Sequence, residues 1–235
     1  MSVPALDVSG VHSGYGEALV VRDVSFQVRT GEIFALLGKN GMGKSTLLKT
    51  LMGFLPIQSG RVGLFGKDIS GMAPHRVARR NIAYTPQEQA LFQDLTVEEN
   101  LRLGMRDSKA FDAGLTRIGE FFPVLPTRLK QRAGTLSGGE QKMLLVARAL
   151  MSRPKLMLID EITEGLQPSV IERLAGVLRA ERDESKVSIL LIEQNVKFAL
   201  AVADRYAVLK LGEIVDQGEI GGADIERKIA DQLSV

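Results

Sequence analysis

The stretch 156–168 reads LMLIDEITEGLQP: an apolar run ends on two adjacent carboxylates, Asp160 and Glu161, followed by Gly165 and a proline. Taken alone, such a pair fits a solvated loop or a helix cap. A second segment gives it a chemical role. GKNGMGKST, residues 38–46, matches the phosphate-binding pattern G-x-x-x-x-G-K-[ST]. There Gly38, Gly41 and Gly43 let backbone N–H groups, including that of Asn40, curl around phosphates. Lys44 reaches the β and γ phosphate oxygens, the Ser45 hydroxyl can ligate Mg²⁺, and Thr46 completes the nucleotide-binding set of the loop. The positive end of that helix adds to the anion site. With such a loop present, Asp160 is assigned to Mg²⁺, held through water or the Ser45 hydroxyl. Glu161 is assigned as general base or positioner of the water that attacks a nucleotide's γ-phosphate.

LSGGEQ, residues 136–141, opens the predicted helix 138–151. Ser137 and the amides of Gly138 and Gly139 make a second anion site at a helix N-terminus. If the two sites cannot face one nucleotide within a chain, two chains must pair.

The elements that must position these groups follow from periodicity. Strands are expected at 5–8, 20–28, 32–37, 60–65, 81–84, 155–160, 187–192, 206–210 and 213–217, from their β-branched or apolar character and their Gly, Thr or Asp boundaries. Helices are expected at 43–53, 96–105, 110–121, 138–151, 169–182 and 195–203, with another at the C-terminus. Strands alternating with helices predict an α/β fold with a mainly parallel sheet. The helical stretch at about 88–135 reads as an insert that, with the helix reaching 150, forms a lobe on one domain spanning residues 1–235.

Composition narrows the function classes. The chain of 235 residues is 45% hydrophobic and 25% charged, as in ordinary globular proteins. Its net charge of +2 comes from 30 basic and 28 acidic residues, which argues against a nucleic-acid surface. The absence of cysteine excludes disulfides, thiolate metal sites and a cysteine nucleophile, and fits the cytosol. No apolar run reaches the length of a membrane span, and MSVPALDVSG lacks the regions of a signal peptide. Work at a membrane therefore calls for a partner that crosses it.

Four ordered motifs make the chain resemble the ATPase subunit of an ATP-binding cassette transporter. GKNGMGKST is similar to that family's Walker A loop, LSGGEQ to its signature, LMLIDE to its Walker B strand, and YTPQEQ (84–89) to its glutamine-containing loop, over about residues 6–218. The resemblance implies a P-loop core with an antiparallel β subdomain and a helical subdomain. It also implies ATP with Mg²⁺ as ligands, and head-to-tail pairing in which each ATP lies between one chain's P-loop and the other's signature. Gln87 would approach the metal and the attacking water and link the helical lobe to membrane subunits. Tyr15 stands where an aromatic stacks on adenine, although a tyrosine between glycines is equally a packed turn residue.

Three positions depart from the family pattern. Ile162 replaces a usual Pro, Gln167 an Asp, and Gln194, in LLIEQN, a His that contacts the γ-phosphate. A neutral Gln can hydrogen-bond there but carries no proton or charge, so a slow or partner-dependent ATPase is expected. A nucleotide-gated subunit with little hydrolysis, or a cassette protein outside transport, are the alternatives. His12 and His75 read as surface or turn residues. LIEQN together with TEGLQPSVIERL most resembles the second ATPase subunit of uptake systems for branched-chain amino acids, urea and related amides. That resemblance implies a different partner ATPase, two permeases, an indirectly linked periplasmic binding protein, and a peripheral place on the cytoplasmic face of the inner membrane. No residue here reads out the solute.

Overall fold

The computed structural model describes residues 3–87, 91–105, 107–222 and 224–234. Two sheets enclose one helix. The first sheet is antiparallel, in the order β2 (Ala18–Val28), β1 (Leu6–Tyr15), β4 (Ile57–Leu64), β5 (Lys67–Asp68). The second has the order β10 (Glu213–Glu219), β9 (Arg205–Lys210), β3 (Ile33–Leu37), β8 (Ser188–Glu193), β7 (Leu156–Asp160), β6 (Ile82–Thr85). From β9 to β6 its neighbours are parallel, and β10 runs antiparallel to β9.

The central strands are apolar on both faces because both faces are covered. In β7, Leu156 and Leu158 enter the core between the two sheets, where α1 (Lys44–Leu51) packs through Leu47, Leu48 and Leu51. Met157 and Ile159 enter the opposite core with α6 (Gly138–Met151), α7 (Pro168–Asp183) and α8 (Val196–Val202). β8 alternates likewise, with Leu190 and Ile192 on one side and Ile189 and Leu191 on the other. This two-residue period fixes which face each strand tip presents. The helical segment contributes α3 (Val97–Leu103), α4 (Phe111–Phe121) and α5 (Val124–Thr127), whose Leu101, Ile118 and Leu125 join the α6-side core. The C-terminal helix α9 (Ile225–Ser234) covers β9 through Ile229. Among the described residues no helix is long and apolar enough to cross a membrane.

Most expected elements stand within about three residues of their predicted ends. The exceptions have local causes. β1 does not stop at 8, as its composition predicts, but runs to Tyr15 through SGVHSGY, a run of weak strand formers held by pairing with β2 and β4 on either side. Its ladder is irregular past Val8, where Gly10 has φ 58°. Gly60 crosses there so closely that a Cβ would lie 2.2 Å from the Gly10 carbonyl oxygen. β4 accordingly begins at Ile57 rather than at 60. The short β5, α5 and α2 (Pro74–Ala78) have no counterpart among the predicted elements, each being too brief to show a period. Of the glutamine-containing stretch 84–89, residues 88 and 89 lie outside the described residues, as does the start of the expected insert at 88.

Candidate functional site

The loop after β3 turns into α1 through Gly41 (φ 81°) and Gly43 (φ 101°), left-handed conformations that favour glycine. Gly43 is the N-cap of α1 and supplies no side chain to it, so the first amides of the helix are left to an incoming anion. Lys44 folds back over this loop. Its ammonium donates to the carbonyls of Gly38 at 2.7 Å and Lys39 at 2.8 Å, and pairs with Glu161 Oε1 at 2.9 Å. Both partners are buried. A cavity of about 300 Å³ opens here, lined by Asn40, Gly41, Lys44, Ser45, Gln87 and Glu161 among others.

The tip of β7 delivers Glu161 to this cavity wall and Asp160 to the Ser45 hydroxyl beside it. Asp160 closes the strand and Glu161 leaves it with φ 44°, a rare conformation for a side chain with a Cβ. The turn is held by the Glu161 N–H donating to Ile192 O at 2.9 Å. Glu161 Oε2 accepts from Gln87 Nε2 at 2.9 Å, and the same nitrogen donates to Glu164 Oε2 at 2.9 Å. The Gln87 carbonyl accepts from Lys142 Nζ of α6 at 3.0 Å. Asp160 is buried, and its Oδ1 has no hydrogen-bond partner among the described residues. Burial pushes its carboxyl up to about 6, raised also by Glu161 and opposed by the Ser45 hydroxyl, Lys44 and Lys142. A buried, unpartnered carboxylate oxygen beside a P-loop hydroxyl fits Mg²⁺. The pair would supply two oxygen donors to such an ion.

The other anticipated residues lie apart from this cluster. Tyr15 is exposed at the end of β1. Ser137 caps α6 in a reciprocal box: its Oγ accepts from the Glu140 N–H at 3.3 Å, while Glu140 Oε2 accepts from the Ser137 N–H and hydroxyl, both at 2.9 Å. At that helix start Gly138 is exposed and Gly139 half-buried. None of these three lines the P-loop cavity. Thr46, by contrast, is buried in the first turn of α1 and lines the P-loop cavity. Ile162 is fully buried in the α6-side core, which accounts for an aliphatic residue there. Gln167 is the N-cap of α7 and makes no side-chain cap bond. Gln194 is exposed, and the hydrogen bonds of the acidic cluster do not include it.

Two buried or half-buried groups have no role in the sequence reading. Glu193, at the tip of β8, is 1% exposed and accepts from the Thr163 N–H at 3.2 Å and its hydroxyl at 2.9 Å. It ties the turn after Glu161 to the neighbouring strand. Its sequence signal is an acid closing an otherwise apolar strand, in LLIE, as Asp160 does in LMLID. Lys142 is hidden inside a helical period, where a lysine reads as a solvated face.

Burial pushes the Glu193 carboxyl up to about 7 from 4.5, against the pull of its hydrogen bonds with Thr163 and the Asn195 backbone. The folded state thus binds this proton more tightly than the unfolded chain. The resulting stability is full below pH 4.5 and lost as pH rises through about 7. Wild-type protein free of nucleotide is expected to lose on the order of 2–3 kcal/mol from this group between about pH 5 and 8, and Glu193→Gln to lose none of it. Urea unfolding across that range checks this; parallel pH slopes in the two proteins would refute it.

Comparison with known proteins accords with this geometry. The chain matches the ABC transporter family over residues 21–164. It is 43% identical over 212 residues to the high-affinity branched-chain amino acid transport ATP-binding protein BraG of Pseudomonas aeruginosa, covering 89% of this chain and 91% of that one. It is 38% identical over 210 residues to the probable branched-chain amino acid transport ATP-binding protein LivF of Archaeoglobus fulgidus, covering 88% and 89%. Among solved structures, a nucleotide-free ATP-binding cassette of an ABC transporter superposes with a TM-score of 0.87 at 25% identity, over 98% of this chain and 97% of that one. The matched segment contains the P-loop, the capped start of α6 and the β7 carboxylates, and the protein belongs to the ABC transporter family as an ATP-binding and hydrolysing subunit.

Proposed function

We propose that this chain drives import of branched-chain amino acids or related small amides such as urea, as one half of an ATPase pair attached to membrane permeases. The observation that carries the reading is the joining of Lys44, Glu161 and Gln87 in one cavity while Ser137, Gly138 and Gly139 lie outside it. The first group suits one nucleotide's phosphates. The second suits the nucleotide of a partner, supplied head to tail.

In the mechanism, the amides after Gly41 and the Lys44 ammonium bind the β- and γ-phosphates, which requires Lys44 to relax its pairing with Glu161. Asp160 and Ser45 would hold Mg²⁺, with the amide oxygen of Gln87 a further donor; bound, the ion neutralises charge that develops on the phosphates. Glu161, released from Lys44, orients the attacking water and takes its proton. Gln87 holds the Glu161 carboxylate in place through its amide nitrogen. Tyr15 offers a flat face to adenine, and the exposed Gln194 follows the tip of β8, free to donate to phosphate once the pair closes. The relatives' transport of branched-chain amino acids favours that solute class, and an uptake system places the chain peripherally on the cytoplasmic face of the membrane. A periplasmic binding protein would act through the permeases.

The test is uptake in proteoliposomes containing the two permeases, this chain and its partner ATPase. ATP on the side of the membrane that carries the ATPases should drive uptake of labelled leucine or urea delivered by the binding protein, and omission of this chain should abolish it. Uptake unchanged without the chain refutes the assignment.

A further inference from the structure

The acidic cluster around Glu161 is too negative for Lys44 to balance alone. Four carboxylates, those of Asp160, Glu161, Glu164 and Glu193, act electrostatically on one further ammonium, that of Lys142 on α6. Lys142 is half-buried, and desolvation holds its ammonium below the usual lysine range even against these acids. Its Nζ donates to the Gln87 carbonyl at 3.0 Å, and Gln87 Nε2 in turn donates to Glu161 and Glu164, each at 2.9 Å. Gln194 brings no charge to the cluster.

The position of Lys142 in α6 gives this contact a second meaning. Lys142 lies four residues after Gly138, so both lie on one face of the helix. The two residues line, with Gln87 and Gln93, a cavity of about 170 Å³. α6 is a single helix of 14 residues fixed at its start by the Ser137–Glu140 box. It cannot move its N-terminus without moving Lys142, one turn on. A continuous chain of contacts therefore runs from the exposed Gly138 through Lys142 to the Gln87 main chain and on to the Glu161 carboxylate.

We propose that Lys142 is a positioning residue that couples the two nucleotide contacts of one chain: it holds Gln87 against the acidic cluster and passes displacement of the α6 N-terminus to Glu161. This rests on the assignment of Glu161 to hydrolysis and of the α6 N-terminus to a partner's nucleotide. Lys142 touches neither nucleotide. Its effect falls on turnover and on the dependence of one site on the other, with the affinity of the P-loop for ATP left in place.

The experiment compares steady-state MgATP hydrolysis by the wild-type pair with pairs carrying Lys142→Met, Lys142→Arg or Glu161→Gln. Lys142→Met should lower kcat about 10- to 100-fold, the scale of a misplaced catalytic group, with KM for MgATP unchanged within about three-fold. Its dependence on MgATP concentration should lose sigmoidicity, and Lys142→Arg, which restores the charge and the donor, should recover most of kcat. A kcat for Lys142→Met within about two-fold of wild type overturns the proposal, as does a loss that Lys142→Arg leaves unrepaired. Full activity in Glu161→Gln would instead overturn the underlying assignment, so the two failures read differently.

Discussion

Glu161→Gln is expected to lower MgATP turnover by about 10²- to 10⁴-fold, the range for loss of a general base, while binding ATP more tightly than the wild type. The second half of this expectation comes from the Lys44 contact. Lys44 sits 2.9 Å from Glu161 Oε1, both groups buried, so phosphates must compete with a carboxylate for their main cation. The amide that replaces this carboxylate cannot satisfy both neighbours. Its one oxygen can accept from Gln87 Nε2 or from the Lys44 ammonium, its nitrogen then opposes the other donor, and it brings no charge to the ammonium in either orientation. The empty state loses a stabilising pair that the loaded state does not use. A gain of about ten-fold in affinity corresponds to about 1.4 kcal/mol of lost competition. Equilibrium titration with MgATP and steady-state hydrolysis check the two halves separately. Unchanged turnover removes Glu161 from the catalytic role, and unchanged or weaker affinity shows that the Lys44–Glu161 pair does not oppose binding.

The parts of this site that can be read in the sequence are those whose spacing is imposed by backbone geometry. The P-loop needs glycines at set intervals and a lysine one step into the helix, so its residues declare themselves. The strand carrying Asp160 is apolar on both faces, and a charge at its tip has nowhere to go but the edge of the core. Glu193 obeys the same rule at the tip of β8, yet the chemical reading of that strand end falls on Gln194, a residue that the fold leaves exposed. Lys142 and Glu164 cannot be found this way, because their contacts are set by the meeting of α6, Gln87 and the β7 turn, which no local period encodes. The same holds for β1, whose weak second half is a strand only because β2 and β4 flank it. Glu161 itself is legible by type, but not its φ of 44°, which aims its carboxylate between Lys44 and Gln87.

Lys44→Ala is expected to weaken MgATP binding by about 10²- to 10³-fold and also to destabilise the empty protein, by about 3 kcal/mol. The first effect follows from the loss of the phosphates' cation. The second follows from burial. Glu161 is 2% exposed and, among the described residues, keeps no ion-pair partner once the ammonium is gone; the Asp160 carboxyl, already raised by desolvation, loses one of the charges that hold it down. The two effects separate in the double variant Lys44→Ala, Glu161→Gln. Removing the orphaned charge should return most of the lost stability, because an isolated buried carboxylate is the costly species and a neutral amide is not. It should return none of the affinity, since no cation has been restored to the loop. Urea unfolding without nucleotide and MgATP titration of the single and double variants supply the comparison. If the double variant is no more stable than Lys44→Ala, the buried pair is not what stabilises the empty site. If it regains affinity, the phosphates depend on relief from Glu161 more than on contact with Lys44, and the order of the two roles would have to be reversed.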